Sequence, residues 1–370
     1  MTSPLPPSSF DLAVYIGRFQ GMHLGHQALI LDALALAPQV AIVLGSAFQA
    51  RSPKNPFTWQ ERADMIRLAL PESDRERVFF VPVRDYYEDA DWVAAVRAGV
   101  AEVVPAARKV ALVGHFKDHT SYYLNRFPGW ALQERPRFSD LDATAIRSVL
   151  FDTPGQPREA IFMLLKPMVP AGVYDYLTAW WSLPCRSTLA WEAEWLRGYK
   201  AKWGHIKSSN AGDAVVICGG HVLLIQRGEG AGKGLYAVPG GFMEDGDRFY
   251  ETAVRELAEE TGLAFLDTTL LDALEDSAVF DHPGRSPRGR IISQAFKFNL
   301  GNLRLPEVNA QFDPDGGAKK ARWVRISDLA RMEDQFFEDH FHILDHFLRI
   351  TSRPLGVGQK SASRQKLSIA

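Results

Sequence analysis

Short apolar runs alternate with longer amphipathic stretches through the first half of the chain. Leu12–Ile16, Val40–Leu44, Val78–Val83 and Val110–Val113 have the length and β-branched content of buried strands. Between them, Gln27–Ala37, Thr58–Leu70 and Asp91–Val104 carry the pattern of helices. Strand and helix alternating at this spacing predict an α/β domain with a doubly wound parallel sheet, Rossmann-like in layout. Ligands of such sheets sit beyond the carboxyl ends of the strands, which directs attention to the loops at 17–26, 46–55, 82–91 and 114–118. Residues 158–181 read as helices completing this domain.

The pattern then changes. Leu189–Trp203 reads as a helix, with Trp191, Trp195 and Tyr199 spaced by four as a packing stripe. Ala214–Cys218 and His221–Gln226 are two strands joined by Gly219-Gly220, a two-residue hairpin signal. A glycine-rich loop at 228–234, strands at Arg290–Leu300 and Ala321–Val324, and a helix around 336–350 predict a second domain, an α/β/α sandwich on a mixed sheet. The expected organisation is a flexible 1–9, a first domain at 10–182, a helical linker at 183–208, a second domain at 209–351 and a disordered tail at 352–370.

Composition changes this picture little. At 370 residues two domains are the default. A net charge of −2 gives no global pull towards nucleic acid or an anionic membrane, so phosphate binding must be local. Neither Cys185 nor Cys218 stands in a metal-ligand spacing, and both are expected to be reduced. No run approaches the roughly 20 apolar residues of a membrane span, and no secretory signal opens the chain. A cytoplasmic protein with small-molecule partners is expected; a homo-oligomer is left open.

The densest chemistry lies at Gly241-Phe-Met-Glu-Asp-Gly-Asp247, continuing through Val254-Arg255-Glu-Leu-Ala-Glu-Glu-Thr-Gly-Leu263. It reads as a glycine turn feeding a helix on which Glu256, Glu259 and Glu260 share a face. Clustered carboxylates repel unless a cation sits among them, and hard oxygen ligands suit Mg²⁺ or Mn²⁺; a solvated acidic face is the simpler alternative. The spacing of Gly241, Arg255, Glu256, Glu259, Glu260 and Gly262 resembles the box of the Nudix family, with Asp247 where that family has Glu. The resemblance implies metals on Glu256, Glu260, Glu259 and Asp247, an ion-pairing Arg255, and hydrolysis of a nucleoside diphosphate. The general base is expected on a variable loop, with Glu275, Asp276 and Asp281 as candidates. Arg285, Arg288 and Arg290 lie in a segment similar to that of Nudix domains acting on ADP-ribose, which implies ADP-ribose as substrate.

At the end of the first strand stands Gly17-Arg-Phe-Gln-Gly-Met-His-Leu-Gly-His26. A helix N-terminus there favours phosphate, Gly25 permits close backbone approach, and two imidazoles can donate to phosphoryl oxygens. Capping or surface histidines are the alternative. The motif resembles the nucleotidyltransferase superfamily, specifically its archaeal-type nicotinamide mononucleotide (NMN) adenylyltransferases, which usually carry Pro in place of Gly21. The resemblance implies catalytic roles for Arg18, His23, His26 and Arg147, and substrate contacts from Gly17, Phe19, Gln20, Lys54 and Thr144. It also implies a nicotinamide pocket at Asp85 and Trp92, although Trp92 reads equally as a core residue. Lys117 and Asp118 are further ATP-binding candidates; Thr58 and Glu61 form a capping box. ATP and NMN in, NAD and pyrophosphate out, is the implied reaction. Nicotinate mononucleotide or phosphopantetheine are alternative acceptors, and a non-hydrolytic sensor of ADP-ribose or NAD is the alternative for the second domain.

Overall fold

The computed structural model describes residues 9–114, 119–136, 141–153, 155–263, 265, 267–302, 304–309 and 317–351. Lys117, Asp118, the first eight residues and the tail from 352 lie outside them. The chain separates into two compact units. The first holds residues 1–207 with 230–233 and 282–290; the second holds 208–229, 234–281 and 291–370. Among the described residues no helix is long and apolar enough to cross a membrane.

In the first unit, β1 (Leu12–Gly17), β2 (Gln39–Leu44), β3 (Val78–Pro82), β4 (Val110–Gly114) and β5 (Ala131–Glu134) are all parallel, in the order β3-β2-β1-β4-β5. The helices are α1 (Leu24–Leu36), α2 (Trp59–Leu68), α3 (Glu72–Arg75), α4 (Asp89–Val103), α5 (Ala143–Phe151), α6 (Arg158–Leu165), α7 (Ala171–Trp180) and α8 (Pro184–Trp203). Strand order reverses beside β1, which opens the crevice where ligands of doubly wound sheets bind. Alternation along β1 buries both faces. Ala13 and Tyr15 pack with Leu29, Ile30 and Trp180, whereas Leu12, Val14 and Ile16 pack with Val96 and Val100 of α4. Along α8 the buried residues are Leu189, Glu192, Ala193 and Leu196; of the aromatic stripe, Trp191 is exposed, while Trp195 and Tyr199 are half-buried and stack on one another.

In the second unit, β6 (Ser209–Cys218), β7 (His221–Arg227), β8 (Tyr236–Ala237), β9 (Gly240–Phe242), β10 (Leu274–Phe280), β11 (Ile291–Asn299) and β12 (Ala318–Arg325) form one mixed sheet. Its path is β10-β11-β6-β7-β12, with β8 on β7 and β9 on β6; only β11 and β6 run parallel. Gly219 and Gly220, at φ 52° and 73°, make the tight β6–β7 turn. Helix α9 (Phe249–Thr261) covers one face with Ala253 and Leu257, beside α10 (Asp267–Ala273). Helix α11 (His340–Leu348) covers the other with Phe341, Ile343 and Leu344.

Candidate active sites

The β1–α1 loop is shaped by its backbone. Gly17 leaves room for the Phe19 ring, 2.9 Å from where a Cβ would stand. Gly21 has φ 116°, a conformation proline cannot adopt, so the turn is built differently from one carrying Pro. His23 is the N-cap of α1: its Nδ1 accepts from the His26 backbone N–H at 3.3 Å. The proton of the neutral ring therefore sits on Nε2, leaving that nitrogen as the donor. The two imidazoles stack with centroids 3.6 Å apart, His23 nearly buried. Gly25 follows in the first turn of α1, also buried.

Arg147 on α5 closes the loop from the other side, donating to the Gln20 carbonyl at 2.9 Å and to Thr144 Oγ1 at 3.0 Å. Burial, then the neighbouring Arg18, lowers its guanidinium to about 10. That mutual repulsion marks a concentration of positive charge suited to phosphates. Asp142 caps α5 through the Ala145 N–H at 2.9 Å, and Thr144 is exposed in its first turn. The structure thus brings Arg18, His23, His26, Thr144 and Arg147 to one end of the sheet, in loops following β1 and opening α1 and α5.

Other predicted contacts are placed differently. The Gln20 amide is closed on the backbone of Phe57, donating to its carbonyl and accepting from its N–H, each at 3.0 Å; it is a buried clamp, not a substrate contact. Phe19 is core, edge-on to Tyr15. Trp92 packs edge-on to Tyr123 and Phe127, which favours its core reading. Asp85 Oδ2 accepts from Ser46 Oγ at 2.8 Å and Gln49 Nε2 at 2.9 Å, tying the loops after β2 and β3 together. Lys54 is exposed in the β2–α2 loop. Sequence reasoning gave Arg62 no role. It is fully buried and donates to the carbonyls of Arg18, Gly45 (2.7 Å) and Ser46 (3.3 Å), fixing the ends of β1 and β2. Burial, partly offset by Asp85, lowers it to about 10.

In the second unit, Gly241 on β9 faces Glu256 on α9; a side chain there would collide with the Glu256 carboxylate. Arg255 gathers the box. It donates to Asp247 Oδ2 at 3.3 Å, Glu256 Oε1 at 3.0 Å, Glu259 Oε2 at 2.9 Å and the Phe242 carbonyl at 3.1 Å. Burial alone would lower the guanidinium, but Glu256, Asp247 and Glu259 hold it above its ordinary value. Glu260 is buried, and burial pushes its carboxyl up to about 8 despite the Gly240 N–H donated to Oε2 at 3.0 Å. Gly262, at φ 71°, ends α9 with its N–H on the Ala258 carbonyl.

Among the described residues no group of three or more His, Cys, Asp or Glu stands ready to hold a metal; Arg255 hydrogen-bonds Asp247, Glu256 and Glu259 and has Glu244 at 3.8 Å as a further ion-pair partner. The residues nonetheless fit a hard divalent cation: the donors are all carboxylate oxygens, and one of them is a buried group that only nearby positive charge would ionise. The base candidates are placed differently from the expected loop. Glu275 and Asp276 lie in β10, where Glu275 accepts from Lys297 at 2.8 Å and Asn299 at 2.6 Å; Lys297, then Asn299, holds it below its ordinary value. Asp281 follows the strand's end. Arg285, Arg288 and Arg290 fall in 282–290, which groups with the first unit and not with the box.

Fold and loops together define the classes: a nucleotidyltransferase-type parallel domain and a Nudix domain. The description Cytidylyltransferase-like matches residues 14–117, and NUDIX domain matches residues 209–347. A crystal structure of a bifunctional NMN adenylyltransferase/ADP ribose pyrophosphatase from Francisella tularensis, complexed with AMP and a Mn ion, superposes with a TM-score of 0.83 at 31% identity, covering 92% of this chain and 99% of that one. The nicotinamide/nicotinic acid mononucleotide adenylyltransferase of Acinetobacter baylyi is 40% identical over 144 residues, 39% of this chain and 77% of that protein. The ADP-ribose pyrophosphatase of Methanocaldococcus jannaschii is 31% identical over 137 residues, 37% of this chain and 71% of that protein. The chain belongs to the family of bifunctional NMN adenylyltransferase/ADP-ribose pyrophosphatases.

Proposed function

We propose that the protein is a bifunctional enzyme of NAD metabolism, its first domain joining NMN to the adenylyl group of ATP and its second hydrolysing ADP-ribose. The observation that carries the first half is the convergence of Arg18, His23, His26, Thr144 and Arg147 at the end of β1. There the NMN 5′-phosphate oxygen attacks the α-phosphorus of ATP, the bond to the β-phosphate oxygen breaks, and NAD and pyrophosphate form. His23 donates from Nε2 and His26 stacks beside it, while Arg18 and Arg147 meet phosphate charge as it shifts to the leaving group. Positioning and charge stabilisation suffice; no covalent intermediate is needed.

In the second domain Glu256, Glu259, Glu260 and Asp247 would hold divalent cations, Mg²⁺ or Mn²⁺. When bound, these polarise the diphosphate and supply a water nucleophile at neutral pH. A bound cation would favour the ionised form of the Glu260 carboxyl, and Arg255 keeps the remaining carboxylates aligned. Water adds to one phosphorus of ADP-ribose and the bridging oxygen leaves, giving AMP and ribose 5-phosphate. The test is incubation of the purified chain with ADP-ribose and Mg²⁺ or Mn²⁺, and separately with ATP and NMN. AMP in the first and NAD in the second are expected. Tight ADP-ribose binding without AMP release would make the second domain a sensor. Adenylylation of phosphopantetheine but not NMN would reassign the first.

A further inference from the structure

One buried carboxylate outside the box has no part in the chemistry above. Asp213, on β6, is 4% exposed and accepts a hydrogen bond from the Ser293 hydroxyl of β11, itself 1% exposed. Strand register sets Asp213 opposite Gly240 of β9. A side chain on Gly240 would collide with Asp213 Oδ1, just as one on Gly241 would collide with Glu256. Two successive glycines are therefore each overlaid by a carboxylate. Gly240 is also the residue whose N–H donates to Glu260 Oε2. Asp213 shares a strand face with Val215, which packs on the α11 side, so it reaches this glycine from the side of the sheet opposite α9.

A buried carboxylate is costly unless something compensates it. Asp213 and Glu256 add negative charge around Glu260, and Arg227 is the positive group that partly offsets them. What a carboxylate adds is a fixed negative field behind Glu260, and through Ser293 a fixed orientation of that field. Residues supporting metal ligands from behind are commonly worth 10- to 100-fold in metal affinity.

We propose that Asp213, held by Ser293, is a positioning residue for the metal site of the second domain. It fixes β9 so that the Gly240 N–H is aimed at Glu260, and its charge strengthens the hold of the site on a divalent cation. This rests on the reading of the second domain as metal-dependent. The probe is Mn²⁺ alone, titrated into the full chain without nucleotide and followed by the electron paramagnetic resonance of the free ion. Glu260→Gln defines the binding due to this site. Asp213→Asn is expected to weaken that binding about tenfold, and Ser293→Ala less, about threefold, because the charge remains while its orientation is lost. A Glu307→Gln control, at an exposed position between β11 and β12, should change nothing. Equal Mn²⁺ affinity in wild type and Asp213→Asn, whatever happens to thermal stability, would overturn the proposal by reducing Asp213 to packing. If Asp213→Asn does not fold, unchanged affinity in Ser293→Ala overturns it equally. Absence of any Glu260-dependent Mn²⁺ binding in the wild type would instead refute the metal-dependent reading itself.

Discussion

Replacing Glu260 by glutamine should stabilise the metal-free protein, and the structure gives the size. The carboxyl is buried on α9 and pushed from 4.5 to about 8. At pH 7 the folded protein keeps this proton and the unfolded chain has lost it. The cost is about 2.5 pH units at 1.36 kcal/mol each, or ~3 kcal/mol. Because the folded value lies above the unfolded one, the stability linked to this group is fully present below about pH 4.5. It falls as pH rises towards 8 and is constant beyond. Glutamine is neutral throughout and its amide oxygen can still accept from the Gly240 N–H. The variant should therefore exceed the wild type by about 1 kcal/mol or less at pH 5 and by ~3 kcal/mol at pH 7, or roughly 6–12 °C in the melting of a domain this size. The assay is a thermal melt in a chelating buffer across pH 5 to 9. A variant no more stable than wild type at pH 8, or a difference independent of pH, would refute the reasoning.

Three further outcomes follow from particular contacts. Gly21→Pro installs the residue usual in the resembling adenylyltransferases, yet φ 116° forbids it here; a loss of ~3 kcal/mol or more is expected by denaturant melt. Gln20→Ala removes both bonds to the buried Phe57 backbone, which should lower stability by ~2–4 kcal/mol while leaving the KM for ATP and NMN within about twofold. Asp247→Glu restores the carboxylate usual in Nudix boxes and should keep or raise ADP-ribose hydrolysis in a steady-state assay. A large drop would show that the Arg255 contact at 3.3 Å is tuned to the shorter side chain.

How much of this was legible depended on whether a residue's partner lay nearby in sequence. Strands β1 to β4 were visible because both faces of a parallel sheet are buried, which leaves unbroken apolar runs. The edge strand β5 has a half-exposed sequence, Ala-Leu-Gln-Glu, with no such run. Strand β10 is acidic and mostly exposed, so Glu275 and Asp276 read as loop residues. The box and the His-x-Gly-His loop stood out because their spacing is local. Gln20 and Arg62 were opaque for the opposite reason: each bonds to backbone from 16 to 44 residues away, and a carbonyl leaves no mark in the sequence. Asp213 and Ser293, 80 residues apart, are joined only by strand register.

The central claim is that one chain carries two separate catalytic sites. It is tested most directly by assaying NAD formation and AMP release from ADP-ribose side by side in His26→Ala, Glu260→Gln and wild type. The account predicts that His26→Ala loses at least 100-fold in NAD formation and keeps its hydrolysis, while Glu260→Gln shows the reverse. Loss of both activities in either variant, or of neither in both, would contradict it.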